Sequence, residues 1–175
     1  DFGIVKDDEM AIKKALDEAL SKCDIVLISG GSSVGERDHT ISAVESIPKA
    51  EILVHGIAIK PGKPTIIARS GSKMIFGLPG NPFAVLVIFK TLIEKYINRF
   101  SEKEKFVNAL FDTNYHKAMG RSEFLPVQLE ERNDEVYALP LRVKSSSVAV
   151  LAKADGFVII EKNKEGLYSG EKIKV

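Results

Sequence analysis

Between Asp8 and Ser21 the apolar residues recur at Ile12, Ala15, Leu16, Ala19 and Leu20, with Lys13, Lys14, Asp17 and Glu18 between them. That spacing places one apolar stripe along a helix, and Asp8 can cap its start. The run Asp24–Ser29 is short, continuous and β-rich, the pattern of a strand covered on both faces. A short helix is expected from about His39 to Ile47, packing through Ile41, Val44 and Ile47. EILVHGIAIKPGKP predicts a strand ending at the turn Lys60-Pro61-Gly62-Lys63-Pro64, and Thr65–Arg69 with Lys73–Leu78 predict a hairpin around Ser70-Gly71-Ser72. LPGNP then leads into a helix from Pro82 to about Arg99, with Asn81 as N-cap and Pro82 at its first position. Its first half, AVLVIF, is apolar nearly all round and belongs in an interior.

The pattern changes after Phe100. SEKEK is a charged link, and beyond it only strand signals follow: FVNALFDTN, SEFLPVQLEE, a turn at Asn133-Asp134, EVYALPLRV, SVAVLAKA, a turn at Asp155-Gly156, FVIIEK and EKIKV. Short alternating strands at regular spacing indicate a small barrel or sandwich. The expected architecture is an α/β domain over residues 1–100 and an all-β domain over 101–175. The chain opens DFGIVKDD, with neither an initiator Met nor the strand that usually begins an α/β domain, and is expected to be a piece of a longer protein.

Composition narrows the function classes. With 175 residues, 45% of them hydrophobic, the chain can form one large or two small cores and is not disordered. Lys and Arg (25) nearly cancel Asp and Glu (24), so a net charge of +1 gives no global field for nucleic acid or a membrane surface. Basic chemistry must be local. Cys23 is the only cysteine and is expected to fill space; it allows no internal disulfide and fits a reducing cytoplasm. No apolar stretch reaches the ~18 residues of a membrane span.

The segment SGGSSVGERD raises the first chemical question. Ordered glycines are entropically costly, and a common reason for them is close approach of backbone N–H groups to an anion. Gly30 and Gly35 have the outer spacing of a P-loop, but Glu36-Arg37 stands where Lys-Ser/Thr is needed, so Walker-type nucleotide binding is rejected. Two readings stay even: a phosphate cradle at a strand end, using N–H groups and the hydroxyls of Ser32 and Ser33, or a tight strand–helix turn. Asp38 can cap the next helix, worth on the order of 1 kcal/mol, or hold Mg²⁺ beside a bound phosphate; spacing alone favours the cap. KPGKP is more telling. Lys60 and Lys63 in a Pro/Gly-stiffened turn are fixed cations, an arrangement normally avoided unless an anion lies between them. The loops 30–38, 60–64 and 79–82 are all expected to leave the carboxyl ends of neighbouring strands and to converge on one crevice. His39, His55 and His116 are scattered without metal-ligand spacing, and no GxSxG is present.

GGSSVGERD, IAIKPGKP and FGLPGNP, in that order and spacing, resemble the molybdenum-insertion enzymes of molybdopterin cofactor biosynthesis, the MoeA family, which includes the gephyrin E domain. GRSEFLPVQLE and AKADGFVIIEKNKEGLYSGEKIKV look like that family's C-terminal β-barrel domain, so the resemblance spans nearly the whole chain. It implies a three-layer α/β domain like those of the MogA and MoaB proteins, followed by a small barrel. It also implies a reaction: molybdate or tungstate is inserted at the dithiolene of adenylylated molybdopterin and AMP is released, with Mg²⁺ assisting. By the same resemblance Gly30, Gly31, Ser32, Ser33, Val34 and Gly35 hold pterin phosphate, and Asp38 acts at or through Mg²⁺. Lys60 and Lys63, with Pro61 and Gly62 between them, match the oxyanion lysines; Pro79, Gly80, Asn81 and Pro82 match the opposite wall. Arg121 and the run Ser145, Ser146, Ser147 match positions that help bind oxyanion.

Two departures concern hydroxyls and glycines: Phe83-Ala84 stands where the family usually has Val-Ser, and Lys144-Ser145-Ser146-Ser147 replaces a Gly-Ser-Gly. The resemblance further implies an upstream first strand and two N-terminal domains that complete a homodimer with a shared site. This piece alone is expected to be inactive. A MogA- or MoaB-type adenylyltransferase is the expected partner. The competing readings are a MogA-like adenylyltransferase, against which the barrel and KPGKP argue, and a non-catalytic gephyrin-like scaffold.

Overall fold

Helix α1 (Glu9–Lys22) forms where the apolar stripe predicts it. The Asp8 carboxylate accepts the Ala11 N–H at 3.0 Å, Glu9 sits in the first turn and Lys22 in the last, so both ends complement the helix dipole. Ile12, Leu16, Ala19 and Leu20 form its buried face. The computed structural model describes residues 1–30, 39–98, 106–141 and 148–175, and the chain divides into two units. One comprises Asp1–Ile57 and Gly62–Ile88, the other Ala58–Pro61 and Phe89–Val175.

The first unit continues with β1 (Ile25–Ser29), α2 (His39–Glu45), β2 (Ala50–His55), β4 (Ile66–Ser70), β5 (Lys73–Leu78) and α3 (Pro82–Ile88); β3 (Ile59–Lys60), between β2 and β4 in the chain, belongs to the other unit. Its sheet has the order β1-β5-β4-β2, with β1 parallel to β5 and β4 antiparallel to both β5 and β2. The predicted hairpin is present, closing at Gly71 with φ +61°. Leu16 and Leu20 of α1 and Ala43 and Val44 of α2 pack with Val26, Ala68 and Ile75 of the sheet. Phe76 and Leu78, out of phase with Ile75, are buried as well, and α3 packs against β5, which gives the three-layer arrangement. Lys73 on β5 donates to the carbonyls of Leu20 and Cys23, satisfying acceptors that the end of α1 leaves open.

Three expectations for residues 1–100 change. β1 is not covered on both faces among the described residues: Leu27 is 45% exposed, because β1 ends the strand path and α1 covers one side. The run EILVHGIAIK is not one strand. Gly56, at φ +82°, turns the chain after β2, and Ile59–Lys60 leave as β3 to join the second unit's sheet. The predicted helix from Pro82 is interrupted: α3 passes through a π-helical stretch, Phe89–Ile93, into α4 (Glu94–Ile97). Such widened turns accommodate an extra residue in the helical register, and Ile93 in it is fully buried.

The second unit contains β6 (Asn108–Phe111), β7 (Tyr115–His116), β8 (Ser122–Arg132), β9 (Glu135–Pro140), α5 (Val148–Leu151), β10 (Gly156–Ile160), β11 (Gly166–Leu167) and β12 (Lys172–Lys174). The main sheet runs β10-β8-β9-β6-β12, with β3 beside β8; β11 pairs β7 separately. Asn133 and Asp134 both have positive φ (51° and 64°), the conformation of a two-residue hairpin turn, and join β8 to β9. Among the described residues no ladder joins the two ends of the path. The sheet nevertheless curls back, since Gly156 of β10 meets the Val175 side chain, which follows β12. Phe111, Leu125, Val127, Ala138, Val158 and Ile160 fill the core.

SVAVLAKA, expected as a strand, contains helix α5 instead. β8 itself pairs with β10 along 123–127 on one side and with β3 and β9 on the other. The Leu129 N–H beyond β10 is met by the Asp155 carboxylate at 2.8 Å.

The β7–β11 pair depends on a glycine. A Cβ at Gly166 would lie 1.9 Å from the Tyr115 carbonyl oxygen, at a φ of +155°. Gly166→Ala is therefore expected to destabilise the chain by about 3 kcal/mol, through overlap and backbone strain together. Urea unfolding checks this; an unchanged midpoint contradicts the close approach.

Candidate functional site

Two strand ends define the site's first half. β1 and β5 run parallel with Ser29 opposite Leu78, so both release their loops at the same edge of the sheet. The Gly30 N–H donates to the Leu78 carbonyl at 3.2 Å, and Gly30 takes φ +91°, a conformation that favours glycine. A Cβ at Gly80 would sit 3.9 Å from the Gly30 Cα, so the two loops start almost in contact. Pro79 is buried, Gly80 is exposed, and the Asn81 side-chain oxygen accepts the N–H groups of Phe83 and Ala84 at 2.9 and 3.2 Å. Asn81 and Pro82 thus start α3 as the sequence predicts.

The segment 62–65 reaches the same edge from the other side. β4 is antiparallel to β5, so Ile66 lies opposite Gly77. The Thr65 hydroxyl, fully buried, donates to the Gly62 carbonyl at 2.7 Å; the Ile57 N–H donates to the Lys63 carbonyl at 2.9 Å, and the Gly56 N–H to that of Thr65 at 2.8 Å. These bonds fix the main chain at Lys63 while its side chain stays exposed. The first unit therefore gathers Gly30, Gly62, Lys63, Pro79, Gly80, Asn81 and Pro82 at one edge. The strands releasing the three loops are not all neighbours, however: β4 separates β2 from β5. Open α/β sheets bind ligands at such an edge. A cleft of about 520 Å³ also opens in this unit, between residues 1–7, α1 and β1. Among the described residues it meets the loop cluster at Ser29 and Gly30.

Gly31, Ser32, Ser33, Val34, Gly35, Asp38, Ser145, Ser146 and Ser147 lie outside the described residues. Among the described residues no group of three or more His, Cys, Asp or Glu side chains is placed to hold a metal ion, so no donor set for Mg²⁺ is defined here. No helix among them is long and apolar enough to cross a membrane.

Lys60 and Arg121 belong to the second unit. Lys60 on β3 is the direct register partner of Glu123 on β8, and its ammonium pairs with Glu123 Oε1 at 2.8 Å. The Tyr115 hydroxyl donates to the same oxygen, also at 2.8 Å. Glu123 is 6% exposed. Arg121 precedes β8 with its side chain exposed, and its carbonyl accepts from the Lys117 ammonium at 2.9 Å. Sequence reasoning missed Glu123 and Tyr115. A signal existed: Glu123 is in phase with Leu125 and Val127, a carboxylate at a core position of an alternating strand. Burial, reinforced by the hydrogen bond to Glu123 and by that residue's charge, pushes the Tyr115 phenol well above the ordinary tyrosine range.

The sequence and fold are matched elsewhere. Residues 1–99 match the family described as a probable molybdopterin binding domain, and the chain belongs to that family. Residues 108–175 match the MoeA C-terminal region (domain IV). A Methanocaldococcus jannaschii protein named for molybdopterin biosynthesis is 37% identical over 99% of this chain and 41% of its own length. The molybdopterin molybdenumtransferase of Haemophilus influenzae is 31% identical, over 100% of this chain and 45% of its length. A molybdopterin biosynthesis MoeA protein from Pyrococcus horikosii superposes with a TM-score of 0.83 at 36% identity, covering 99% of this chain and 42% of that one. The chain thus spans less than half the length of these relatives.

The raised Tyr115 pKa has a testable sign. The folded state holds the phenolic proton more tightly than the unfolded state, so this contribution to stability is complete below the unfolded tyrosine value and is lost as pH rises above it. Of the four tyrosines, one is expected to resist ionisation at 295 nm until the chain unfolds, and Tyr115→Phe removes that component. Titration of all four as ordinary tyrosines contradicts the Tyr115–Glu123 contact.

Proposed function

We propose that this chain forms the molybdopterin-binding and C-terminal parts, residues 1–100 and 101–175, of a molybdopterin molybdenumtransferase. Relatives from Haemophilus influenzae and Bacillus subtilis carry that name. The observation that carries the reading is the collection of Gly30, Gly62-Lys63 and Pro79-Gly80-Asn81 at one sheet edge in a chain of the molybdopterin-binding family. The reaction inserts molybdate, or tungstate, into adenylylated molybdopterin and releases AMP.

In this reading the loop from Gly30 to Gly35 offers N–H donors to the pterin phosphate, and Pro79, Gly80, Asn81 and Pro82 form the facing wall. Lys60, Lys63, Arg121, Ser145 and Ser146 hold the oxyanion. Molybdate and phosphate are both tetrahedral dianions, which suits cations on stiffened loops joined by backbone donors. Asp38 is the residue toward Mg²⁺, whose chemistry is charge neutralisation at the adenylate phosphorus. A cytoplasmic homodimer supplied by a MogA- or MoaB-type adenylyltransferase completes the reading. The alternative that the chain is itself such an adenylyltransferase is not favoured, since residues 108–175 match the MoeA C-terminal region.

Calorimetric titration of molybdopterin into the chain tests the loop edge. Gly80→Val fills the space beside Gly30, and Lys63→Ala removes the edge's exposed cation. Each is expected to weaken binding by roughly tenfold to a hundredfold, the worth of one charge-assisted contact or of a blocked approach. No binding by the folded chain, or binding indifferent to both changes, rules out this edge as the pterin site.

A further inference from the structure

A buried carboxylate inside a small β unit needs a reason. Replacing a buried ion pair by apolar side chains is often neutral or stabilising, so the Lys60–Glu123 pair is weak evidence for a stability role. Its asymmetry is informative: the Glu123 side chain is 8% exposed and that of Lys60 is 55% exposed. The anchored end is the acid, and the presented end is the ammonium.

We propose that Glu123, itself held by Tyr115, is a positioning residue for Lys60, fixing where the ammonium sits on β3 and leaving its other N–H donors for an oxyanion. The contact with the oxyanion rests on the reading of Lys60 given under Proposed function. β3 has only two residues, Ile59 and Lys60, and pairs with β8 through Ser122 and Glu123. So short a ladder leaves a four-carbon side chain free to sweep, and one strong acceptor beside it restricts that freedom. Tyr115 donates to the same Oε1, so that oxygen is fixed from two directions. Tyr115 is fixed in turn by the β7–β11 pair, where Gly166 leaves no room for a side chain. The order of support runs from Gly166 to Tyr115, then to Glu123, then to Lys60.

Charge and position must be separated in the test. Neutralising Glu123 would add positive potential at Lys60 and favour anions whatever the geometry. Glu123→Asp keeps the charge but withdraws the acceptor by one methylene, and Tyr115→Phe keeps the charge and removes only the phenol. With the chain ¹⁵N-labelled at lysine, relaxation of the Lys60 ammonium and the molybdate Kd are measured for the wild type, both variants and Lys60→Ala.

The Lys60 ammonium is expected to be ordered in the wild type and more mobile in both variants, and their molybdate Kd to rise roughly threefold to tenfold. A tyrosine or glutamate change that only loosened the fold would lower the melting temperature without singling out this ammonium among the lysines. An ammonium as ordered in both variants as in the wild type overturns the proposal. So does an unchanged Kd in both variants while Lys60→Ala weakens molybdate. If Lys60→Ala leaves molybdate binding intact, the oxyanion role of Lys60 fails, and the relaxation data alone decide whether Glu123 positions it.

Discussion

The ladder between β1 and β5 runs parallel, with Ile25 opposite Met74 and Ser29 opposite Leu78. Everything at the candidate edge follows from that direction. Had the two strands run antiparallel, Gly30 and Pro79 would lie at opposite ends of the sheet. Because they are parallel, the Gly30 N–H can bond the last carbonyl of β5, and two loops begin within van der Waals distance. The antiparallel β4 then brings the segment before Ile66 to the same edge, where the buried Thr65 hydroxyl closes it onto Gly62. A mixed sheet does what a purely parallel one would need a further crossover to do.

The motif KPGKP divides between the units. Lys60 and Pro61 go with the second, Gly62 and Lys63 with the first. Its two cations are therefore stabilised by different means. Lys63 stands on a main chain fixed by hydrogen bonds from Ile57 and within 62–65. Lys60 has a two-residue strand and a buried acid. The sequence reads as one turn holding both lysines; the structure divides them between two units.

Local signals were legible where the chemistry is local. Asp8 before α1, Asn81-Pro82 before α3, Gly71 in the β4–β5 hairpin and Asn133-Asp134 in the β8–β9 turn act within a few residues of themselves, and each is where the sequence puts it. What escaped depends on partners distant in the chain. VAVL has strand composition yet forms α5, while β8 takes β3, β9 and β10 as its partners. The pair β7–β11 has two residues on each strand, too few for any periodicity, and the need for Gly166 shows only once Tyr115 lies against it. Of the candidate site, the loops announced themselves through glycine and proline. Glu123 lies in plain alternation with Leu125 and Val127, a polar residue in a core phase.

A buried charge in an alternating strand is paired across the ladder. Where a carboxylate occupies a core position, its partner is fixed by register rather than by sequence distance, and Lys60 lies far away in the chain yet directly opposite in the ladder. Burial of the acid is unfavourable unless its oxygens are met, and here one oxygen receives both an ammonium and a phenol. Burial, with the hydrogen bond to that acid, holds the phenol's proton, so it remains a donor throughout the neutral range. The ammonium is the exposed member of the three, while Glu123 is buried and Tyr115 half-buried, and its place is set by those two groups.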